Sequence, residues 1–277
     1  MKKFKIFLTI GCVLVVVGLC IVLYAPVRHM VNRSKMNDVI DDFTKTAEQI
    51  DEDKDENEPL NKYYEELDRI KKSDPDTDYD VGKYMKDNNI SADKDDIDYR
   101  PLLLEYLRED AEYYNQDLIT NGQVLLNDPF SYEQVPFDLT QYGIDDDVFG
   151  YIESPVIDMK LPIYLGATND NLGRGAVHLT YSSLPIGGES TNAVLAGHRG
   201  YIGGVFFDNI VFLEEGDDVY ITNFWEELHY KVIEKEIISP YDIDRCYIQE
   251  GKDLLTLLTC HPYGYTTYRY MVVCERV

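Results

Sequence analysis

The sequence predicts a mainly β domain, a closed barrel or a sandwich, that follows N-terminal helices and one membrane anchor. Three observations support this fold class: an uncharged apolar stretch near the N-terminus, a helical period in the middle, and short strand-like runs from Tyr142 onward. The 277 residues suffice for one sizeable domain with appendages. Because 44% of them are hydrophobic, the chain can bury a substantial core.

The first element is an apolar stretch at 6–27 that contains no charged residue. At about 1.5 Å per residue, a helix of this length crosses a hydrocarbon core of about 30 Å. A cleaved signal peptide is the alternative, but its apolar region would be only about 7–15 residues long. We therefore expect an uncleaved single-pass anchor behind a short N-terminus at 1–5. Basic residues flank the span on both sides, so the charge pattern does not orient it.

An acidic segment at 28–100 separates the anchor from the rest of the chain. Its acidic runs, such as 51–56, cannot bury enough apolar surface to fold alone, so we expect a solvated stalk or insertion, partly helical or disordered. Residues 61–72 are a candidate helix. A calcium site at 74–78 is an alternative reading, but that stretch lacks the Gly and distal Glu of an EF-hand loop.

The remainder divides into a helical part at 101–141 and a β part at 142–277. Apolar residues recur near the 3.6 period from 101 to about 127 and predict a helix there. Farther on, short β-branched and aromatic runs between Gly, Pro, Asn and Asp turns indicate a closed or sandwiched antiparallel domain. The expected strands are 150–157, 160–164, 193–198, 218–222, 227–238, 254–260 and 268–274.

The cysteines suggest a candidate nucleophile. Cys12 and Cys20 lie in the apolar span, which leaves Cys246, Cys260 and Cys274, an odd number, so at least one is unpaired within the chain. Cys260 ends a strand-like run directly before a Pro/Gly turn, where a side chain is accessible and firmly held. The alternative is a buried core cysteine, which is the usual role of an isolated one.

Two other residues could act with Cys260. His198 is a Gly-flanked residue at the end of an apolar strand, although a capping or core histidine is the alternative. His261 is a rival base, but neighbouring strand residues point to opposite faces. Arg269 opens the strand after the Cys260 turn, so antiparallel pairing would place both residues at the same end of the sheet. A solvated surface charge is the alternative for Arg269.

The run Thr-Leu-Leu-Thr-Cys at 256–260, followed by Arg269, resembles the signature of the sortase family, Thr-Leu-x-Thr-Cys with an Arg on the next strand. The loop Cys-His-Pro-Tyr-Gly at 260–264 is similar to the Cys-x-Pro-Tyr-Gly loop of the pilus-assembling class C group. Upstream, Asp128-Pro129-Phe130 resembles the class C lid motif, in which the acid would pair with Arg269 and the ring would cover Cys260. The alternative is an ordinary Asp-Pro turn.

The resemblance implies a sortase barrel of about eight strands and a cysteine transpeptidase on the outer face of a Gram-positive membrane, which would leave the short N-terminus at 1–5 in the cytoplasm. Cys260 would attack the Thr–Gly bond of a Leu-Pro-x-Thr-Gly-like sorting signal, and an amine, in class C a pilin lysine, would resolve the thioester. His198 would transfer protons, Arg269 would hold the oxyanion, and Leu258 and Thr259 would contact substrate. No metal or other cofactor is expected.

The implied partners are sorting-signal-bearing surface proteins, pilins above all, together with the lipid bilayer. A net charge of −25 disfavours nucleic acid as a partner. Two alternative functions stay open. One is a housekeeping or class D sortase that anchors proteins to the cell wall. The other is a non-enzymatic surface β-module, which predicts a buried and unreactive Cys260.

Overall fold

The computed structural model describes residues 2–56, 100–126, 129–144, 147–201 and 204–277. Its α-helices are α1 (Lys2–Glu56), α2 (Arg100–Asn121), α3 (Pro129–Tyr132) and α4 (Asn169–Leu172). The strands are β1 (Val148–Ser154), β2 (Met159–Leu165), β3 (Ala176–His178), β4 (Thr191–Ala196), β5 (Asp218–Asn223), β6 (Glu227–Ile238), β7 (Asp253–His261) and β8 (Tyr268–Arg276).

The strands form a closed barrel in the order β1-β2-β3-β4-β7-β8-β6-β5. This confirms the expected closed barrel of about eight strands. The expectation of a purely antiparallel domain is wrong, because β2 pairs with β3 in parallel and β4 pairs with β7 in parallel. The connection at 166–175 leads from the end of β2 back to the end of the barrel at which β2 begins, as the parallel pairing of β2 with β3 requires. The connection at 239–252 likewise leads back to the end of the barrel at which β6 begins, so that β7 runs in the same direction as β6.

The strand predictions differ from the structure chiefly at three places. The predicted strand at 193–198 ends at Ala196, so His198 lies in the connection that follows β4. The predicted strand at 150–157 ends earlier, because Pro155–Ile157 forms a 3-10 turn. Strand β3 was not predicted, since three residues are too short a run to show an alternating pattern. All seven predicted strands have a counterpart in the barrel.

Helix α1 continues without a break from the predicted anchor to Glu56. Among the described residues, it is the one helix long and apolar enough to cross a membrane, and its large apolar side chains from Ile10 to Val31 are exposed. Farther along, Met36, Ile40 and Phe43 are buried. The expectation of a solvated stalk is therefore wrong for these residues, which pack on the barrel. They share one apolar face of the helix, and the acidic residues around them hide this pattern in the sequence.

The remaining interpretations of the acidic segment fall outside the described residues. These are the candidate helix at 61–72 and the calcium alternative at 74–78. The boundaries of the proposed domains stay a prediction.

The strand directions define two ends of the barrel. The Cys260 end carries the connections 155–158, 197–217 and 262–267, which follow β1, β4 and β7. The opposite end carries the hairpin 224–226, between β5 and β6, and the start of β7. Helix α1 runs along the barrel from the first end to the second, since Arg33 pairs with Asp158 and Phe43 contacts Phe224.

Both faces of β7 are buried. Leu255 and Leu257 belong to the barrel interior, whereas Leu254 and Leu258 pack beneath the 239–252 connection on the outside. The two soluble cysteines other than Cys260 fall on opposite sides of this wall. Cys274 lies in the interior cluster and Cys246 in the outer cluster, and both are free thiols. The two cysteines therefore do not form a disulfide with each other.

Burial of His178 makes stability depend on pH. The ring is fully buried on β3, with Nε2 3.0 Å from the carbonyl oxygen of Ser183, and desolvation lowers its pKa to about 4. Between pH about 6.5 and about 4, this histidine binds a proton in the unfolded chain, where its pKa is about 6.5, but not in the folded chain. We expect the free energy of unfolding to fall by on the order of 3 kcal/mol as pH drops from about 6.5 to about 4. Urea titrations across this range measure it.

The matched variants are His178→Gln and His229→Gln, the latter at a partly exposed histidine. His178→Gln should flatten this part of the pH profile, whereas His229→Gln should keep the slope. An unchanged slope in His178→Gln would show that another group carries the effect.

Candidate active site

Cys260 and Arg269 face each other across β7 and β8. They are direct partners in the antiparallel register, so their side chains lie on the same face of the sheet. Leu258, two residues before Cys260, shares this face. The sequence prediction that the turn brings Cys260 and Arg269 to one end of the sheet therefore agrees with the register.

His198 reaches the same place from the other side of β7. Strand β4 runs parallel to β7 with Ala196 opposite Leu258, and the Gly197 amide donates to the Leu258 carbonyl at 3.1 Å. Two residues farther along both chains, His198 is level with Cys260. The Phe207 amide donates a hydrogen bond to the His198 carbonyl at 3.0 Å and fixes the backbone at His198.

These three side chains line one cleft of about 760 Å³ on the outer face of the Cys260 end. The floor comes from β4 and β7, and one wall comes from the beginning of the 239–252 connection. Tyr132 and Glu133, at the end of α3, line it from the other side. Nine of its nineteen lining residues are aliphatic or proline: Leu126, Ala167, Leu172, Leu179, Ala196, Leu258, Ile238, Pro240 and Ile243.

Aromatic rings surround the His198 imidazole. Tyr201 stacks on it with ring centroids 4.8 Å apart, and Phe206 meets it edge-on at 6.2 Å. Desolvation lowers the pKa of His198, and the nearby Asp208 carboxylate partly opposes this shift. The imidazole is therefore neutral at pH 7, with one nitrogen able to accept a proton and the other able to donate one.

Asp208 also holds the loop that carries His198. Its carboxylate accepts hydrogen bonds from the Gly200 amide at 2.9 Å and from the Phe206 amide at 3.1 Å. Sequence reasoning missed this residue, because an Asp ten positions after the histidine carries no recognisable spacing. Position 197 requires glycine, because a Cβ there would lie 2.8 Å from the Phe207 ring.

The thiol and the guanidinium are both partly exposed to the cleft. Arg269 donates from Nη1 to the carbonyls of Thr266 and Tyr268, at 2.9 and 3.1 Å. Within the described part of the chain, no hydrogen bond joins Cys260 to His198 or Arg269. Such bonds are often long in unliganded sites and tighten when substrate binds. The cleft thus offers a nucleophile, a proton acceptor and a cationic donor around a common space.

Leu258 and Thr259 were the predicted substrate contacts, and both line the cleft. Leu258 shares the face of Cys260. Thr259 is buried, and its hydroxyl donates to the Gly197 carbonyl at 2.7 Å. This bond joins the strand of Cys260 to the strand of His198, so the geometry favours a structural use of the hydroxyl.

The rival base His261 is directed away from the cleft. Its Nδ1 lies 3.2 Å from the Arg199 guanidinium, and that guanidinium also sits over the Tyr263 ring. Strand alternation, which predicted this orientation, therefore holds at the end of β7.

The predicted lid is described only in part. Asp128 lies outside the described residues, and α3 begins at Pro129 and includes Phe130, of which only the backbone is described. The flanking residues are firmly held: Gln123 accepts a hydrogen bond from the Ile248 amide at 2.7 Å, and the Tyr132 carbonyl accepts one from Ala167 at 2.6 Å.

Comparison with known proteins assigns the family. A family model described as the sortase domain matches residues 152–277. The solved structure of sortase C-1 from Actinomyces oris is 36% identical, with a TM-score of 0.56, and the match covers 64% of this chain and 99% of that chain. The chain belongs to the sortase family.

Other sortases of several classes are similar to it. The pilus-related sortase C of Group B Streptococcus is 31% identical with a TM-score of 0.57, covering 70% of this chain and 96% of that one. Sortase D of Bacillus subtilis is 31% identical and sortase A of Bacillus anthracis 33% identical, over 46% and 47% of this chain. The chain spans 63% and 60% of the length of these two curated relatives. The predicted sortase family, with class C structural neighbours, is confirmed.

The Thr259 hydrogen bond gives a direct test of how this sortase holds its cleft. Thr259→Val keeps the shape of the side chain but leaves the buried Gly197 carbonyl without its donor. We expect a loss of about 1–3 kcal/mol in the free energy of unfolding, measured by urea titration. Thr259→Ser keeps the hydroxyl and should lose less. A larger loss in Thr259→Ser than in Thr259→Val would assign the effect to packing of the methyl group instead, because only serine lacks it.

Proposed function

We propose that this sortase is a membrane-anchored cysteine transpeptidase that cleaves a sorting signal between Thr and Gly and transfers the new acyl group to an amine. The observation that carries the proposal is the convergence of Cys260, His198 and Arg269 on one cleft of the sortase barrel. A surface β-module without enzymatic activity gives no reason for these three groups to meet.

In the first half-reaction, the Cys260 sulfur attacks the Thr carbonyl carbon of the signal. His198, neutral because of its burial, accepts the thiol proton and passes it to the departing Gly amine. The C–N bond breaks as the thioester forms. Arg269 stabilises the oxyanion; its two backbone hydrogen bonds to described residues both use Nη1, and Nε and Nη2 can donate to the substrate.

In the second half-reaction, an amine attacks the thioester. His198 takes a proton from the incoming amine and returns it to the Cys260 sulfur as the C–S bond breaks. One amide has been exchanged for another, so the overall reaction needs no oxidant, metal or external energy source. The covalent intermediate divides one difficult amide exchange into two easier steps.

The substrate is a Leu-Pro-x-Thr-Gly-like signal, and the acceptor is a lysine of a pilin subunit. The apolar side chains that line the cleft suit the Leu-Pro part of such a signal. The pilin acceptor is supported by the structural neighbours named as sortase C, one of them as pilus-related. These substrates are exported, which puts the catalytic domain on the outer face of a Gram-positive cell membrane.

The segment at 128–130 acts as the lid of this cleft. The sequence motif supports this role, as do its fixed flanks at Leu126 and Tyr132, both of which line the cleft. An acid at Asp128 within reach of Arg269 would compete with the substrate oxyanion for the guanidinium. Opening would then precede acylation.

Attachment of surface proteins to the cell wall is the second candidate function. The curated relatives named sortase D and sortase A favour it. The chemistry at Cys260 would be the same, and only the acceptor amine would differ, a cell-wall precursor in place of a pilin lysine.

Mass spectrometry of the full chain in detergent, incubated with a Leu-Pro-x-Thr-Gly peptide, tests the first half-reaction. We expect an acyl adduct on Cys260, faster in Asp128→Ala because the guanidinium is released. His198→Ala and Arg269→Ala should each slow acylation by about 10²-fold or more, since one loses the proton carrier and the other the oxyanion donor.

Cys260→Ala should form no adduct. Cys246→Ala is the matched control, because it removes the other thiol of the same cleft and should keep the adduct. If neither the unaltered chain nor Asp128→Ala is acylated by any of several sorting motifs, Cys260 is not the nucleophile of an acyl transfer. Adding a lysine peptide or a cell-wall amine to the acylated enzyme distinguishes the two candidate functions.

A further inference from the structure

We propose that the Cys260 end of the barrel rests on the surface of the lipid bilayer, with apolar loop residues inserted at headgroup level. The proposal concerns the orientation of the whole domain. It depends on helix α1 as the membrane span and does not require the transfer reaction proposed above.

The link between the apolar span and the barrel is short and well held. The apolar stretch ends at Val27, and six residues later Arg33 forms a two-point ion pair with Asp158, at 2.7 and 2.8 Å. Three residues beyond, Met36 is already part of the barrel core. Because α1 is one continuous helix, about 9 Å separates the end of the span from the Asp158 loop. The headgroup layer beside the hydrocarbon is itself about 5–7 Å thick.

Exposed apolar side chains cluster at this end. Val156 is 61% exposed in the 155–158 connection, next to Asp158, and Phe212 is 66% exposed in the 197–217 connection. Tyr201 and Val205 are exposed in the same connection, whose Gly204 approaches Asn32 of α1. Single exposed apolar residues are ordinary, but a group on loops beside a membrane span indicates contact with the interface.

The 262–267 connection adds aromatic residues of the type that favours the bilayer interface. Tyr263 and Tyr265 are both exposed, and Gly264 packs against Gly200, so this loop belongs to the same surface. Tyrosine has an apolar ring and a polar hydroxyl, a combination that suits the boundary between acyl chains and water.

The opposite end has the wrong character for a membrane. The cavity between α1, α2 and the 224–226 hairpin is lined by Glu48, Glu105, Glu226 and Glu227, with Arg108 as its basic residue. Basic residues follow the span at Arg28, Arg33 and Lys35, although Glu214 and Glu215 also lie at the Cys260 end. We therefore expect a zwitterionic lipid surface to suffice for the contact.

A second copy of the chain is a poorer occupant for this surface than lipid. The continuity of α1 with the span already holds these loops beside the bilayer, so lipid contact needs no additional encounter. A partner copy would have to enter the narrow space between the barrel and the membrane.

The chain contains a single tryptophan, Trp225, at the opposite end, and this makes a depth measurement simple. Full-length protein is reconstituted in phosphatidylcholine vesicles with or without bromine on the acyl chains, which quench indole emission at short range. We expect Trp225 to be unaffected by bromination. In the double variant Phe212→Trp/Trp225→Phe, emission should fall about twofold in brominated vesicles, as expected of a side chain at the interface.

Adding Val156→Ser and Val205→Ser to the double variant should reduce this quenching, because the anchoring side chains are lost. Tyr113→Ser and Ile119→Ser, at exposed positions of α2, form the matched control and should leave it unchanged. Quenching at position 212 no greater than at Trp225 would overturn the proposal. A change in the emission of the tryptophan at position 212 that depends on protein density and not on bromination would also overturn it, because it would indicate contact with a second copy of the chain. Unchanged circular dichroism verifies that each variant is folded.

Discussion

Pairing of β4 and β8 with the central strand β7 is the constraint on which the site depends. Strand β7 is buried on both faces and is hydrogen-bonded to a parallel neighbour on one side and an antiparallel neighbour on the other. The antiparallel ladder places Arg269 opposite Cys260, and the parallel ladder places His198 beside it. A slip of one residue in either ladder would turn a side chain to the wrong face. The apolar burial of β7 is therefore also what aligns the three polar groups.

Packing around the end of β4 sets the protonation state of His198 and the position of its loop. Burial lowers the pKa of His198 and keeps the ring uncharged, while the Asp208 carboxylate holds the loop through two backbone amides. Thr259, one residue before the nucleophile, uses its hydroxyl to hold the His198 strand. A site of this kind needs few hydrogen bonds among its own members, because the barrel supplies their positions.

Helix α1 joins the candidate membrane span to the barrel. It begins as an apolar span, and its later turns contribute Met36 and Phe43 to the core. A stalk would let the cleft sample many heights above the bilayer. A continuous helix that is packed into the core restricts both the height and the direction of the cleft relative to the apolar span.

The sequence by itself determined the apolar span and seven of the strands, because periodicity and turn residues record local burial. The motif at 256–260 with Arg269 indicated the family by resemblance, and the pairing of Cys260 with Arg269 was predictable because a hairpin joins residues only nine positions apart. Only the tertiary structure decided the rest. The parallel pairing of β4 with β7 brings His198 to Cys260 across 62 positions. Asp208, and the burial of Phe43 within an acidic segment, likewise depend on contacts between distant elements. Such contacts follow from packing free energy summed over the whole barrel, which no local pattern records.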